Sequence, residues 1–575
     1  MPKVKRIKGE LFWSKRGIFL RRPEMPSARF APAIGIHATV SVQGLPDKFV
    51  VIDFLDYAKK LVSIKVPRAD FLSLQKFKKA VEGTGYEFPR DAEAGKLLHE
   101  FIINRAPRER WHLVDRSGWH ENQFVLLNLP AKKDGVSLRL ETDKPQYCAV
   151  FEKRGSLTGW QQQVAEHALC SHRMLFAICL AFAAPLMHFA TVEPGGFHLF
   201  GKTTKGKSIC LIVASSVAGP GTRDELPNWD VTDGGLEEAA AGHNHSLLFL
   251  DETGHLRTDA TASIAKKLRA HAFKLAGGRG RLRSSLWGHK LGARELKWRL
   301  LFLSTGELAL SEIAAAEDIE RLKGKEVRLI DVPGTNGEAL GVYEKLPPDF
   351  SSLEEALVGI TKACADNCGF AFEAYVARLG ENLEGLEGLV ASRMSRFMAE
   401  AKVSDDAWER RFAQRFALAF AAGSIAADFG IVPWKVGAIG DAVRFCYWTA
   451  RQAIPDVDQL RHRGLQTLRQ KLGDKTITLE LKRAGHNVSW TPDDAKKAQV
   501  FRRSEATGTQ FIVAPATFDH WLGSRLQSEL VLRYLEAKGL LVKSNRGIRT
   551  TQILIEGLSG RAYYYCISDQ IFSRV

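Results

Sequence analysis

The middle of the chain alternates short apolar runs with longer segments of helical spacing. Continuous apolar runs of strand length are typical of strands buried on both faces of a parallel sheet. Four such runs carry the pattern, at 197–200, 246–250, 299–304 and 327–332. A short strand near 228–232 and a helix around 235–241 are expected as well. The pattern predicts a three-layer α/β core over residues 156–345, with a mostly parallel sheet between two sets of helices.

The regions on either side have other patterns. Residues 1–155 mix short apolar runs with charged helical stretches, which predicts a small N-terminal accessory α/β domain. Residues 346–455 are helical throughout and are interpreted as an α-helical lid. The basic, polar stretch 456–505 is interpreted as a linker. Residues 506–575 hold helices, a basic turn at 543–549 and a strand pair, an order that predicts a winged-helix-like module.

Composition narrows the class of protein. The 575 residues include 81 Lys and Arg against 65 Asp and Glu, a net charge of +16, and 45% hydrophobic residues are enough for folded cores. Eight scattered cysteines disfavour a disulfide framework. The longest apolar stretch, 174–187, contains Pro185 and is shorter than a membrane span, and the N-terminus lacks the pattern of a signal peptide. We therefore expect a cytoplasmic protein without a membrane partner.

A phosphate-binding motif follows the run 197–200. The sequence Gly201-Lys-Thr-Thr-Lys-Gly206-Lys207-Ser208 satisfies G-x-x-x-x-G-K-[ST] and opens an apolar helix. In such a loop the backbone N–H groups surround phosphates, the lysine reaches the β and γ oxygens, and the hydroxyl holds Mg²⁺. The helix N-terminus adds a positive dipole. The residues predicted to bind ATP are Gly201, Thr203, Thr204, Lys205, Gly206, Lys207, Ser208 and Ile209.

Polar residues end the next two buried runs. Asp251 and Glu252 follow Leu247-Leu-Phe-Leu250, so Asp251 is predicted to hold Mg²⁺ together with Ser208, and Glu252 to polarise the attacking water. Ser304 and Thr305 follow the run 300–303 and should emerge beside the acids. A hydroxyl there can sense the γ-phosphate and position water, and ordinary strand capping is the alternative. Lys207, Asp251, Glu252 and Thr305 are thus candidate catalytic residues.

A basic segment lies between the acids and Ser304. Residues 274–299 hold eight Lys and Arg against Glu295 alone, and the glycines of Gly277-Gly-Arg-Gly-Arg281 predict a hairpin. Lysines and arginines so clustered neutralise the phosphates of single-stranded nucleic acid. The predicted contacts are Arg279, Arg281, Arg283 and Lys290. The alternative is a solvated surface loop.

The ordered series of motifs resembles a known family. The series consists of Gly118-Trp-His120 with Phe124-Val-Leu126, the phosphate loop, Trp229 with Gly235-Leu-Glu237, Leu250-Asp-Glu252, the Gly-Arg segment, Trp298 with 303–307, and 328–333. It spans residues 12–433 and resembles the helicase-like domains of unknown function found in phages, plasmids and chromosomal islands. These domains are related to the MCM-like AAA+ helicases.

The resemblance implies a P-loop NTPase of the AAA+ kind that uses ATP and Mg²⁺ and assembles into a ring, with six subunits as the expected number. In such a ring Arg328, at the start of the last core strand, would reach the neighbour's nucleotide. Arg411 or Arg415 in the lid would contact phosphate, and Arg415 is the candidate retained here. For each arginine a surface or ion-paired role is the alternative.

The leading hypothesis is an ATP-hydrolysing DNA helicase or translocase of a mobile genetic element that acts on single-stranded or forked DNA. The alternative is an ATP-dependent DNA-binding switch, loader or defence protein without processive unwinding. A small-molecule kinase with the same loop is disfavoured by the size of the helical region and by the basic segment.

Overall fold

The structure is a computed structural model of mixed α/β architecture with several sheets. It describes residues 9–14, 16–42, 48–222, 224, 226–256, 264–281, 296–316, 327–454, 457–481, 490–505, 508–523, 525–542 and 547–574.

The N-terminal region contains a three-stranded antiparallel sheet, a six-stranded mixed sheet and a hairpin. Its strands are β1 (Glu10–Ser14), β2 (Gly17–Arg22), β3 (Met25–Ala31), β4 (Ile34–Val42), β5 (Lys48–Leu55), β6 (Leu61–Pro67), β7 (Glu109–Val114), β8 (Gly118–His120), β9 (Gln123–Val125), β10 (Ala131–Lys133) and β11 (Val136–Leu140). The sheet orders are β1-β2-β3, β10-β11-β7-β4-β5-β6 and β8-β9.

One face of the six-stranded sheet is covered by helices. Their bounds are Arg68–Leu72, Leu74–Glu82 and Ala92–Ile103. Phe77, Leu98 and Ile102 from these helices pack with Ile52 and Phe54 of β5 in one core. Strand β5 alternates between this core and the opposite face, as expected for a strand with two different environments.

The central sheet has four parallel strands in the order β13-β14-β12-β15. The strands are β12 (Gly195–Phe200), β13 (Leu247–Leu250), β14 (Leu301–Gly306) and β15 (Leu329–Pro333). All four are buried, which explains their continuous apolar sequences. The strand expected at 228–232 is reduced to one bridge between Asn228 and Asp251, while the helix expected after it is Asp233–Gly242.

Helices lie on both faces of this sheet. Leu301 and Leu303 of β14 face one core with the helices His172–Leu186 and Lys207–Ser215. Leu300 and Phe302 face the other core. Helices of this region are Leu157–Trp160, Glu166–Ala168, His172–Leu186, Lys207–Ser215, Asp233–Gly242, Ile264–Gly277, Leu310–Ala316 and Gly337–Leu340, with a π-helical turn at Gln161–Ala165.

The helical region following β15 packs directly on this core. Its helices are Leu353–Asp366, Phe370–Glu381, Leu386–Glu400, Ala407–Asp428 and Val436–Ala453. The ring of Phe416 lies 5.4 Å from Phe176 and 4.8 Å from Phe197 of β12, measured between centroids. The segment interpreted as a lid therefore also supplies part of a layer over the sheet.

The C-terminal region begins earlier than its sequence indicated. The helix Val457–Gly473 lies in the segment interpreted as a linker, yet its Leu465, Leu468 and Leu472 are buried in the C-terminal core. Spacing of three and four residues puts these leucines on one helix face. The expected linker is thus largely part of the folded C-terminal unit.

That unit is built on a six-stranded sheet of order β16-β17-β18-β21-β19, with β20 also paired to β21. Strands are β16 (Thr478–Glu480), β17 (Val500–Glu505), β18 (Gly508–Val513), β19 (Leu541–Val542), β20 (Thr550–Leu554) and β21 (Arg561–Ser568). The remaining helices are Pro492–Lys497, Pro515–Leu522, Arg525–Ala537 and Ile571–Arg574. In the described parts of the chain no helix has both the length and the apolar composition needed to cross a membrane.

Candidate functional site

The phosphate loop lies at the carboxyl edge of the central sheet, between β12 and the helix Lys207–Ser215. Gly206 is the N-cap of that helix and has a φ of 94°, a left-handed conformation that favours glycine. A Cβ atom at Gly206 would approach Leu357 Cδ2 to 2.7 Å and Val342 Cγ2 to 2.9 Å. Backbone conformation and packing therefore both require glycine here.

The Lys207 side chain is held inside the loop. Its Nζ donates a hydrogen bond to the carbonyl of Lys202 at 2.6 Å, and the residue is 6% exposed. Burial lowers the pKa of Lys207, while the nearby carboxylates of Glu252, Glu307 and Asp251 favour its charged form. A buried cation surrounded by N–H groups and by a helix N-terminus makes a site for an anion.

Two hydroxyl groups meet at one carboxylate oxygen. Ser208 Oγ donates to Asp251 Oδ1 at 2.9 Å, and Thr305 Oγ1 donates to the same oxygen at 2.5 Å. Asp251 is 7% exposed and Thr305 is fully buried. The three residues come from different elements, namely the loop helix, the end of β13 and the end of β14. The predicted metal ligands Ser208 and Asp251 are thus brought together, with Thr305 beside them.

Glu252 has strained backbone geometry. Its φ of 49° with ψ of 97° lies in a region that non-glycine residues rarely occupy. The strain is compensated by two hydrogen bonds, from Glu252 N to Thr305 Oγ1 at 3.0 Å and from Gly254 N to Glu252 Oε1 at 3.1 Å. Such strain concentrates at sites where a side chain must point in a required direction.

Thr305 and its neighbour Ser304 have different roles. Ser304 Oγ contacts His198 Nδ1 at 3.0 Å and accepts from the indole N–H of Trp229 at 2.9 Å. Ser304 and Trp229 are fully buried, so Ser304 fastens β14 to the elements around it. Of the two neighbours Ser304 and Thr305, it is Thr305 whose side chain bonds the Asp251 carboxylate.

Sequence analysis missed two charged residues around the loop. Arg173 is 2% exposed, and its guanidinium donates to the carbonyls of Pro333 and Thr335 at 2.7 and 3.3 Å and to Glu344 at 2.5 Å. It was recognisable as the one arginine in the apolar helix His172–Leu186. Glu307 accepts a hydrogen bond from Thr203 Oγ1, and its signal was an acid two residues beyond Thr305.

Arg415 lies at the other edge of the sheet, which corrects the predicted phosphate contact. Its guanidinium donates to the carbonyls of Glu193 at 3.2 Å, Pro194 at 2.9 Å and Val327, just ahead of β12 and β15. The residue is 2% exposed, and burial lowers its pKa to about 10. Because these donors are used on backbone oxygens at the amino edge, Arg415 is a packing residue. Arg411 is ion-paired with Glu193 at 2.6 Å nearby.

Arg328 also lies at the amino edge. Its backbone carbonyl accepts from Gly196 N at 2.9 Å, and its guanidinium carbon lies 4.1 Å from the centroid of the Phe273 ring. The side chain is partly exposed, and burial lowers its pKa. Arg328 is therefore not brought together with the phosphate loop of its own chain, and its action on a neighbouring subunit stays a prediction.

The basic segment has an ordered stem. Arg279 and Lys297 form an antiparallel bridge, Gly280 N donates to Leu296 O at 2.8 Å, and Trp298 N donates to Gly278 O at 3.0 Å. Arg279 and Arg281 are exposed. Arg283 and Lys290 lie outside the described residues. The second arm of the stem leads into β14, the strand that contains Thr305.

The C-terminal basic turn is only partly described. Arg549 is paired with Glu529 at 2.8 Å and with Glu536 at 3.0 Å on the helix Arg525–Ala537. The β20–β21 hairpin itself turns at residues 555–560. Arg549 thus fastens its segment to a helix and does not form the hairpin tip.

Comparisons with known proteins bear on the fold of this chain. Residues 20–294 match a family described as a domain of unknown function (DUF927). A search of curated proteins gives no match. The solved structure described as SCCmec type IV Cch, active helicase, is 15% identical, covers 99% of both chains and has a TM-score of 0.56, so this chain shares its fold. The A form apo structure of the NrS-1 C-terminal region is 11% identical and covers 93% of this chain and 96% of that chain. Its TM-score of 0.27 is too low to indicate a shared fold.

The chain therefore resembles a domain of unknown function over residues 20–294 and shares its overall fold with the first of these solved structures.

Proposed function

We propose that this protein is an ATP-hydrolysing DNA helicase or translocase of a mobile genetic element that works as an oligomeric ring, with ATP and Mg²⁺ as cofactors. The observation that carries the proposal is the meeting of Ser208 and Thr305 at Asp251 Oδ1 beside the glycine loop. A phosphate loop, a hydroxyl, a carboxylate and a second strand-end hydroxyl are the groups that nucleoside triphosphate hydrolysis requires.

Each residue has a chemical task in this proposal. Lys207 would neutralise β and γ oxygens, and Ser208 and Asp251 would hold Mg²⁺, which neutralises developing charge on the phosphates when bound. Glu252 would accept a proton from the attacking water, and Thr305 holds the Glu252 backbone and the Asp251 carboxylate in place. Pre-formed hydrogen bonds of this kind reduce the reorganisation needed during reaction.

The basic segment supports DNA as the partner. Arg279 and Arg281 are exposed on one arm of a stem. The other arm, at 296–298, leads into β14, the strand that contains Thr305. A ring would bring Arg328 of one subunit to the phosphate loop of the next. The fold shared with a protein described as an active helicase also favours a helicase function for this chain.

The test is ATP hydrolysis against protein concentration, with and without single-stranded DNA, for wild type, Glu252→Gln and Arg328→Ala. We expect activity that rises with both concentration and DNA, loss in each variant, and partial recovery when the two variants are mixed. Arg410→Ala is the control, because Arg410 is an exposed helix arginine paired with Asp405. Activity that is independent of concentration and of DNA would remove the ring and the DNA role.

A second candidate is an ATP-dependent DNA-binding switch or loader. It is supported by the same contacts, since the loop and the stem require no processive movement. Strand displacement on a forked duplex separates the two: the switch predicts DNA-stimulated hydrolysis without a displaced strand.

A further inference from the structure

The three-stranded sheet β1-β2-β3 has one face outside the N-terminal core. Because side chains alternate along strands, Leu11, Ile18 and Leu20 enter that core while Phe12 and Phe19 point the other way. Within the described chain, neither phenylalanine belongs to a hydrophobic core cluster. Both rings remain partly exposed.

The two rings form a stacked pair. Phe12 and Phe19 are cross-strand partners, with centroids 5.8 Å apart and an interplanar angle of 25°. Nearly parallel rings at this distance overlap in an offset stack, and both remain partly exposed on the side away from the core. A hydrophobic pair of this kind in a core-facing position would be ordinary packing, but here it lies on the outside.

Arginines surround the pair. The Arg21 guanidinium lies 5.0 Å from the Phe12 centroid, and Arg29 on β3 is the cross-strand partner of Phe19. Arg21 and Arg29 are both exposed, and among the described residues no ion pair joins either of them to an acid. Glu10, opposite Arg21, is the acid on this face. The face, defined by Phe12, Phe19, Arg21 and Arg29, therefore combines two aromatic rings with two arginines and has Glu10 at one end.

We propose that the Phe12–Phe19 face is a binding site for single-stranded DNA, separate from the basic segment of the central unit. Unstacked bases would lie on the rings, and the arginines would contact the backbone phosphates. Stacking on aromatic rings accepts any base, and arginines give a salt-dependent attraction. A duplex presents no unstacked base faces and cannot use the rings. The proposal shares with the proposed function only the choice of DNA as partner.

The experiment measures binding of labelled oligo(dT), and of an abasic oligomer of equal length, to the full chain without nucleotide. We expect the double variant Phe12→Leu with Phe19→Leu to bind oligo(dT) about tenfold more weakly, while its binding of the abasic strand is unchanged. Leucine keeps apolar volume, so a preserved circular dichroism spectrum and melting temperature show that the sheet still forms.

The charge component is measured separately. Arg21→Gln with Arg29→Gln should reduce the slope of log affinity against log salt by about 0.7 for each lost phosphate contact, on both strands. Arg105→Gln is the matched control, since Arg105 is an exposed arginine 5.2 Å from the Phe101 ring of the helix Ala92–Ile103 and does not belong to the three-stranded sheet. It should leave binding at the wild-type value.

The outcomes separate this proposal from the proposed function. If wild type binds oligo(dT) and the leucine and glutamine variants bind it equally well, the face is not a site, and the proposed function is unaffected. If the leucine variant loses affinity for the abasic strand to the same extent as for oligo(dT), stacking is overturned. If wild type binds no DNA at low salt, both proposals fall. Arg281→Gln reports on the basic segment independently.

Discussion

Both edges of the central sheet carry buried charged residues, but these residues have different roles at the two edges. At the carboxyl edge, Thr305 bonds Asp251 beside the glycine loop, and the carboxylate of Asp251 favours the charged form of Lys207. At the amino edge, Arg415 is as deeply buried as these residues, yet its donors are satisfied by main-chain carbonyls. Strand direction accounts for the difference, because ligands bind outside the carboxyl ends of parallel strands.

The amino edge is also a junction with the N-terminal region. His245 Nδ1 accepts from Trp119 N at 3.2 Å, and Asn244 Nδ2 donates to the carbonyl of Ser117 at 2.8 Å. Asn244 Oδ1 in turn accepts from Arg299 N at 2.9 Å, ahead of β14. Polar groups at this edge serve cohesion between regions, whereas those at the opposite edge are arranged around a loop.

The largest expected effect is that of Lys207→Ala. Removing the buried cation should lower ATP hydrolysis by about 10³-fold and weaken nucleotide binding, because the loop loses the group that faces phosphate oxygens. Steady-state hydrolysis and equilibrium dialysis measure the two effects. Lys144→Ala, which removes a lysine paired with Glu238, is the control and should retain activity. Equal loss in both variants would contradict a special role for the carboxyl edge.

Arg415→Ala should act on stability instead. Three main-chain carbonyls, one buried and two partly buried, lose their donors, which should cost about 3 kcal/mol and lower the calorimetric unfolding temperature. Arg411→Ala, in which an exposed ion pair is lost, should cost less than about 1 kcal/mol. If folded Arg415→Ala at low temperature lost nucleotide affinity without loss of stability, the assignment of Arg415 to packing would be wrong.

Lowering the pH should reduce the stability of the folded protein, because two histidines at the amino edge are buried. Burial lowers the pKa of His243 to about 4 and that of His245 to about 3, from 6.5. Stability is therefore fully present above pH 6.5 and is lost as the pH falls towards 4, because the unfolded chain takes up protons first. The loss at pH 5 should be roughly 1 to 2 kcal/mol for each histidine. Denaturant titrations between pH 7 and pH 5 measure it.

His245→Asn is the matched variant for this pH dependence. Asparagine tolerates the φ of 56° at this position and has no titrating group in the range. The free energy of unfolding should then depend less steeply on pH, because the contribution of His245 to that slope is removed. An unchanged slope would show that other groups govern the acid response.

The smallest expected effect is that of Thr305→Val. The side chain keeps its shape but loses the hydrogen bonds to Asp251 and to the Glu252 backbone, so kcat should fall about tenfold with little change in KM. Thr305→Ser keeps the hydroxyl and should recover most of the rate. A fall in both variants would indicate that packing of the methyl group matters instead.

The sequence was informative where a residue's neighbours are dictated by strand order. Four apolar runs and their polar ends predicted that Asp251 and Thr305 would lie near the loop, since parallel strands end at one edge. Arg415 was misjudged because its partners, near Glu193 and Val327, are remote in sequence and are backbone atoms without any signature.

Other differences have the same origin. The helix Val457–Gly473 appears polar because only one narrow face, with Leu465 and Leu468, is buried. The strand expected at 228–232 has the composition of a strand, but Trp229 turns its indole to Ser304 and leaves a single bridge. In both places tertiary contacts decide the outcome, and local patterns do not report them.

The packing of Gly206 has a mechanical consequence. The loop glycine lies against Leu357 of the helix Leu353–Asp366, with no space between them for even a methyl group. A shift of the loop backbone towards that helix therefore meets the Leu357 side chain first. The phosphate loop and the helical region are thus in direct contact, and we expect a change in loop shape on ligand binding to alter the packing of Leu357.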